Sequence, residues 1–337
     1  MLKAPRLSFI LPLLLCAIFC VLSSGRAQAF NWNPVKLGGT EYVSLRSVKT
    51  FYNFQNITFN KDIVLENRKI KVVLRKGSQR CKMNGVLFIL SFPVKVHNNQ
   101  YLISRTDLVK VIDPVMRPSN IKNAKVFNTV VIDAGHGGRD AGAKGHLGSE
   151  KFYTLKVARI MRDMLQKKGY RVVMTRDSDV FVSLNNRKNI ANKFKNSGAI
   201  FISIHFNAAH ARAHGFETFT VSPVGVPHLG RGLRQRDFQL VPGNIVDSAS
   251  IALATAVHSR SMLYLNNPKG VNYDITDRGI KRARFNVLTG IQIPAILLEG
   301  GFLSNRQEAA KVNTPHYQQT LAAAVVRAID VYKNARR

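Results

Sequence analysis

Acidic residues are scarce in this 337-residue chain, 19 against 50 lysines and arginines, which leaves a formal charge of +31. A field of that size favours polyanionic partners. It does not point to nucleic acid, because the basic residues are scattered and are not interleaved with aromatics on one face. Cysteine is scarcer still: of three, Cys16 and Cys20 fall within the first 29 residues and leave Cys81 alone. One thiol excludes an intrachain disulfide and a metal site built from thiolates. Long hydrophobic runs are missing apart from Leu7 to Leu22, which follows Lys3 and Arg6, contains Pro12 and leads to Ala27-Gln28-Ala29. That run is short for a membrane span, and the small residues around Gln28 fit a signal-peptidase site. Residues 1–29 are therefore read as a signal peptide in preference to an anchor, with no permanent span expected. An exported chain meets the anionic polymers of the cell envelope in the periplasm or wall, and these are the partners its charge suits.

Length supports two domains. Residues 30–118 show short alternating runs broken by turn residues, such as Ile70 to Leu74, Val86 to Leu90 and Tyr101 to Ile103, with helices near Leu45 to Tyr52 and Arg105 to Ile112. This predicts a small, strand-rich α+β module. Residues 119–127 read as a linker, and 128–337 as a second domain in which strands and helices alternate. The expected elements there are a strand ending near Ile132, a helix from Glu150 to Lys168 and a strand from Arg171. A helix capped by Ser183, strands Ala199 to Ile204 and Phe216 to Val221, a helix near Ile245 to Leu263, a strand Ala295 to Leu298 and a helix after Pro315 follow. Such alternation argues for an α/β fold with a twisted, mostly parallel sheet flanked by helices.

Ligands of such sheets bind outside the carboxyl ends of the strands. Three of the apolar runs end there on chemically competent residues, His136, His205 and Glu299. Glu150 opens a helix after the glycine-rich stretch from Gly137 to Gly148; helix capping is its structural alternative. Together His136, Glu150 and His205 form a two-histidine, one-carboxylate set, which suits Zn2+ better than hard cations and leaves a position for water. Zinc in such a set acidifies water and polarises a scissile carbonyl. Glu299 could move the proton, its alternative being a strand-end acid satisfied by backbone donors. Asp133 could orient an imidazole or bond amides in the following turn. Asn207 could shape the rim or stabilise a turn, and Arg284 could bind a substrate carboxylate or be solvated. His210 and His214 read as loop residues, because the ligand set is complete without them.

The ordered series VVIDAGHGGRDAGA, Glu150 with its helix, VVMTRDSDVFVSLNNRKNIAN, AIFISIHFNA, DRGIKRARFNVL and PAILLEGGFLSN resembles the zinc-dependent N-acetylmuramoyl-L-alanine amidases of the Amidase_3 type. The resemblance covers about 128–333. It implies a peptidoglycan hydrolase that cuts the amide between N-acetylmuramic acid and the L-alanine of the stem peptide. His136, Glu150 and His205 match the family's zinc ligands, one ion per catalytic domain, and Glu299 its catalytic glutamate. The segments EYVSLRSVKTFYNF, KMNGVLFILSFPV and QYLISRTDLVKVIDPVMRP resemble the small module named after the N-terminal domain of copper amine oxidases. The departure is the Gly- and Arg-rich stretch 224–241, near which some family members carry a helix that blocks the zinc until a protein activator removes it. Here a mobile basic loop contacting the glycan is the preferred expectation over a plug, with His228 and Asp237 its only groups able to approach a metal. A wall-binding protein without catalysis and a zinc peptidase acting within the stem peptide are the competing functions.

Overall fold

The computed structural model describes residues 30–267 and 269–336; the expected signal peptide lies outside them. Among the described residues, no helix is long and apolar enough to cross a membrane. The strands Arg171–Met174, Thr129–Ala134, Ala199–Asn207, Ala295–Phe302, Phe216–Val221 and Asp277–Ala283 lie side by side in that order. Ala295–Phe302 and Phe216–Val221 run antiparallel, and the other neighbours are parallel. The mostly parallel, helix-flanked sheet is therefore as expected, with one strand, Asp277–Ala283, that the sequence reading passed over.

Strand alternation assigns residues to two faces. Val130, Ile132, Ala134, Ile200, Ile202, Ile204, Ile296 and Leu298 point into the larger core, beneath the long helices Glu150–Lys167, Asp247–Leu265 and Pro315–Ala335. Val131, Phe201, Ala295 and Leu297 point into a smaller core with Ala191, Val287 and Leu288, from the short helices Leu184–Asn192 and Asn286–Thr289. Asp133, His205 and Glu299 fall in register with the second set. They reach the carboxyl ends of their strands on the face with the lighter cover, where a cleft can open.

The N-terminal region joins this sheet. Its antiparallel strands Asn56–Phe59, Ile63–Glu66, Lys71–Leu74, Arg80–Met83 and Val86–Ile89 extend it through one parallel pairing, Ile280 with Phe88. Gly279 permits the approach: its φ is +83°, and a Cβ there would sit 2.9 Å from Leu87 Cγ. Arg282, 5% exposed, bridges the two regions by donating to Lys110 O, Asp247 and Thr220. The helical stretch expected from Arg105 begins with Ser104 as cap, passes through a π turn at Leu108–Ile112 and continues to Met116. Residues 119–127 are packed down at their far end. Phe127 lies against Tyr170 and Tyr332, and Arg336 donates to Ile121 O and Ala124 O.

Candidate active site

The Thr129–Ala134 strand delivers the chain to Gly135, where a side chain would collide with the His205 ring at 2.4 Å. His136 follows in the left-handed region, φ +61°. A non-glycine residue there is held by its surroundings, and two buried arginines do the holding. Arg187 donates to Asp133 Oδ1 at 2.6 Å, Ala134 O at 2.7 Å and His136 O at 2.6 Å. Arg176 donates to Ala134 O, Gly135 O and Lys151 O at 2.8–2.9 Å.

Glu150 enters from the other side of the sheet, as the first residue of its helix, where a carboxylate meets the positive end of the helix dipole. It is 4% exposed. Its Oε1 accepts from Phe206 N at 3.1 Å and lies 2.8 Å from His205 Nδ1; its Oε2 accepts from Ala143 N at 2.8 Å and lies 3.1 Å from His136 Nε2. Burial alone would raise the Glu150 pKa, but the hydrogen bonds and charges of the two histidines hold it well below the ordinary range. For His136, burial alone would lower the pKa, and Glu150 and Asp140 together outweigh it and leave it raised. Asp140 Oδ1 sits 2.9 Å from His136 Nδ1 without hydrogen-bond geometry, a charge contact only.

One ligand atom from each of His136, Glu150 and His205 lies within 4.8 Å of the others. The donor chemistry fits zinc: two imidazoles and a carboxylate, with no thiolate and too few oxygens for a hard cation. The glycine cradle fits as well, since a Cβ at Gly142 would fall 2.6 Å from Glu150 Oε2 and 2.6 Å from the His136 ring.

Glu299 stands in register between His205 on one neighbouring strand and Glu217 on the other. Burial pushes its carboxyl well above the ordinary range, helped by the charges of Glu150 and Glu217 and opposed by Lys281. Its Oε2 is buried without a hydrogen-bond partner. Asp133, His136, His205 and Glu299 line a cleft of about 460 Å³ whose walls are Phe181, Val182, Leu184, Phe285, Val287 and Leu297.

Residues 130–331 match N-acetylmuramoyl-L-alanine amidase. The chain belongs to the N-acetylmuramoyl-L-alanine amidase family. Among its relatives, the uncharacterized protein YqiI of Bacillus subtilis is 34% identical over 60% of this chain and 84% of its own length. The sporulation-specific N-acetylmuramoyl-L-alanine amidase of Bacillus subtilis is 34% identical over 57% of this chain and 63% of its own. The N-acetylmuramoyl-L-alanine amidase structure from Clostridium difficile 630 is 30% identical, covers 63% of this chain and all of that one, and superposes with a TM-score of 0.50. The matching region is that of an amidase hydrolase acting on peptidoglycan.

Other expected site residues of the amidase fall elsewhere. Asp133 does not orient an imidazole: its carboxylate accepts from Arg187, Ser203 at 2.7 Å and Thr175 at 2.7 Å, and acts on His136 only through Arg187. Arg284 is not available to substrate. Its side chain is 8% exposed, set 3.1 Å from Asp237 Oδ1, and it donates to Asp237 O and Pro223 O. Asn207 donates to Glu217 Oε1 and accepts from Ala208 N, which is the turn-stabilising alternative, and it is not among the residues that line the cleft. His214 Nδ1 meets Arg212 O in the loop, and neither it nor His210 belongs to the metal-competent cluster.

Residues 224–241 contribute nothing to the lining of the cleft. They are organised around Asp237, 0% exposed, which accepts from Arg231 at 2.6 and 2.7 Å and from Arg234 N at 2.9 Å. Arg231 holds its carboxyl down at about 2. The stretch is therefore a braced loop and not a plug in the cleft, and its His228 packs edge-on to the cleft-wall residue Phe285. The reading from sequence missed Arg176, Arg187 and Glu217. A lone acid inside the otherwise uncharged strand FETFTV was a signal for Glu217; the arginines, in segments of mixed polarity, gave none.

Proposed function

We propose that this protein is an exported peptidoglycan amidase that uses zinc to hydrolyse the bond between N-acetylmuramic acid and L-alanine. The observation that carries the reading is the convergence of His136, Glu150 and His205 ligand atoms within 4.8 Å of one another, with both histidines opening into a cleft that Glu299, its Oε2 buried and unpartnered, also lines. His136, Glu150 and His205 would hold the ion, which when bound supplies Lewis acidity toward water and a carbonyl. Glu299 takes a proton from water and returns it to the departing amine, a role that its position beside His205 in the cleft allows. The Asp133–Arg187 pair fixes the backbone that presents His136. Phe181, Phe285 and Leu297 limit water around the scissile bond.

Residues 1–29 would direct export to the periplasm or wall, and the basic surface would favour anionic envelope polymers. Residues 30–118 would act as a brace on the sheet, their copper amine oxidase-like character remaining a proposal of the same kind. The test is digestion of purified sacculi by the mature protein with zinc. Release of free L-alanine amino termini by the wild type, lowered about 10²–10⁴-fold in Glu299→Gln with zinc still bound, is the expected result. Equal activity in Glu299→Gln would remove the glutamate from the mechanism.

A further inference from the structure

Arg284 was the arginine best placed by sequence to meet a substrate carboxylate, and the fold commits it to Asp237. Arg284 does not line the cleft, and the arginine that does, Arg187, is 3% exposed with its donors taken by Asp133, Val182 O, Ala134 O and His136 O. The lining of the cleft thus offers no available cation. Its rim does.

Arg139 lies three residues beyond His136, exposed, with its guanidinium carbon 4.4 Å from the centroid of Phe181, a cleft-wall residue. No carboxylate among the described residues pairs with it. The neighbouring acids are engaged: Asp179 accepts from Lys151 Nζ at 2.7 Å and from Gly138 N at 2.8 Å, while Asp140 faces His136 and Gly142 N. The loop that carries Arg139 is also fixed against the wall. A Cβ on Gly137 would lie 2.3 Å from Val180 O, and one on Gly138 would lie 2.6 Å from Phe181 N, so backbone packs directly on backbone. Stacking and close packing together restrict the guanidinium before any ligand arrives, which reduces the entropy lost on binding.

We propose that Arg139, stacked on Phe181, binds a free carboxylate of the stem peptide and makes the amidase prefer acidic over amidated stems. The proposal rests on the amidase reading above and adds a determinant of specificity to it. The guanidinium donates two N–H groups to a carboxylate, whereas a carboxamide offers one neutral acceptor and a donor that opposes the charge. Lys188, which donates to the cleft residue Asn286 at 3.0 Å, is the competing rim cation.

The experiment uses two muramoyl tripeptides that differ only in one stem carboxylate, free in one and a carboxamide in the other. Both are measured for kcat/KM with the zinc-loaded wild type and for Kd with the zinc-loaded Glu299→Gln protein. The wild type should favour the acid about fivefold, the size of one exposed charge pair, with the difference in KM. Arg139→Gln should bring that ratio to about one, Arg139→Lys should restore part of it, and Lys188→Gln should leave it intact. A ratio unchanged in Arg139→Gln, a ratio abolished by Lys188→Gln, or no preference in the wild type would overturn the proposal. Preferential binding of the acid without cleavage of either compound would support Arg139 while counting against the amidase reading alone.

Discussion

Two buried carboxylates, Glu150 and Asp237, sit near the start of helical turns, 4% and 0% exposed, and each gathers nitrogen donors around it. Glu150 faces two imidazoles and two backbone amides; Asp237 faces Arg231, Arg284 and the Arg234 amide. The difference lies in what the partners can give up. A guanidinium stays protonated and neutralises its acid permanently, whereas an imidazole can lose its proton and turn a lone pair toward a cation. The first arrangement braces a loop. The second is a site.

The sharpest way to break that comparison is to neutralise each acid in turn. Glu150→Gln should abolish both zinc binding and hydrolysis, read by chelator competition and by release of L-alanine amino termini. Asp237→Asn should keep both. An Asp237→Asn protein that lost zinc would show that the two clusters are one system.

A smaller effect is expected one layer out. Arg187→Met removes the grip on His136 O and leaves Asp133 buried without its counter-charge. Zinc affinity should fall about 10–100-fold, as it does when groups that orient metal ligands are lost. Apo-protein melting should also drop, so the zinc-induced rise in Tm is the informative quantity. If Arg187 were only structural, that rise would be the same in mutant and wild type.

The smallest effect concerns the loop. Asp237 is held at about 2, below its unfolded value of about 3.9. Its contribution to stability is therefore complete above the unfolded value and disappears as pH falls through about 2. Asp237→Asn should lower Tm at pH 7 by about 2–4 °C for each kcal/mol lost. The gap between mutant and wild type should close on acidification, measured by thermal melts across that range. A gap that widened with acid would contradict the pairing.

These contrasts also explain what could be read from sequence. His136, His205 and Glu299 were legible because each ends an apolar run, and Glu150 because it opens an amphipathic helix. Their convergence follows from strand parity and from the rule that such sheets bind at their carboxyl ends. Arg187 was not legible because its partner Asp133 is 54 residues away in the chain. Arg284 was misread for the same reason, its acid lying 47 residues earlier. The strand Asp277–Ala283 escaped notice because DRGIKRA carries four charges; two of them, Lys281 and Arg282, are satisfied by Glu217 and Asp247 from distant elements. The N-terminal strands enter the catalytic sheet through the backbone pairing of Ile280 with Phe88, which no local pattern announces.

Mass spectrometry of a defined disaccharide tripeptide, digested by the mature zinc-loaded protein, tests the function most directly. The predicted products are a disaccharide with a free lactyl carboxyl group and a tripeptide with a free L-alanine amine. Cleavage within the tripeptide, or an intact substrate with zinc bound, would contradict it.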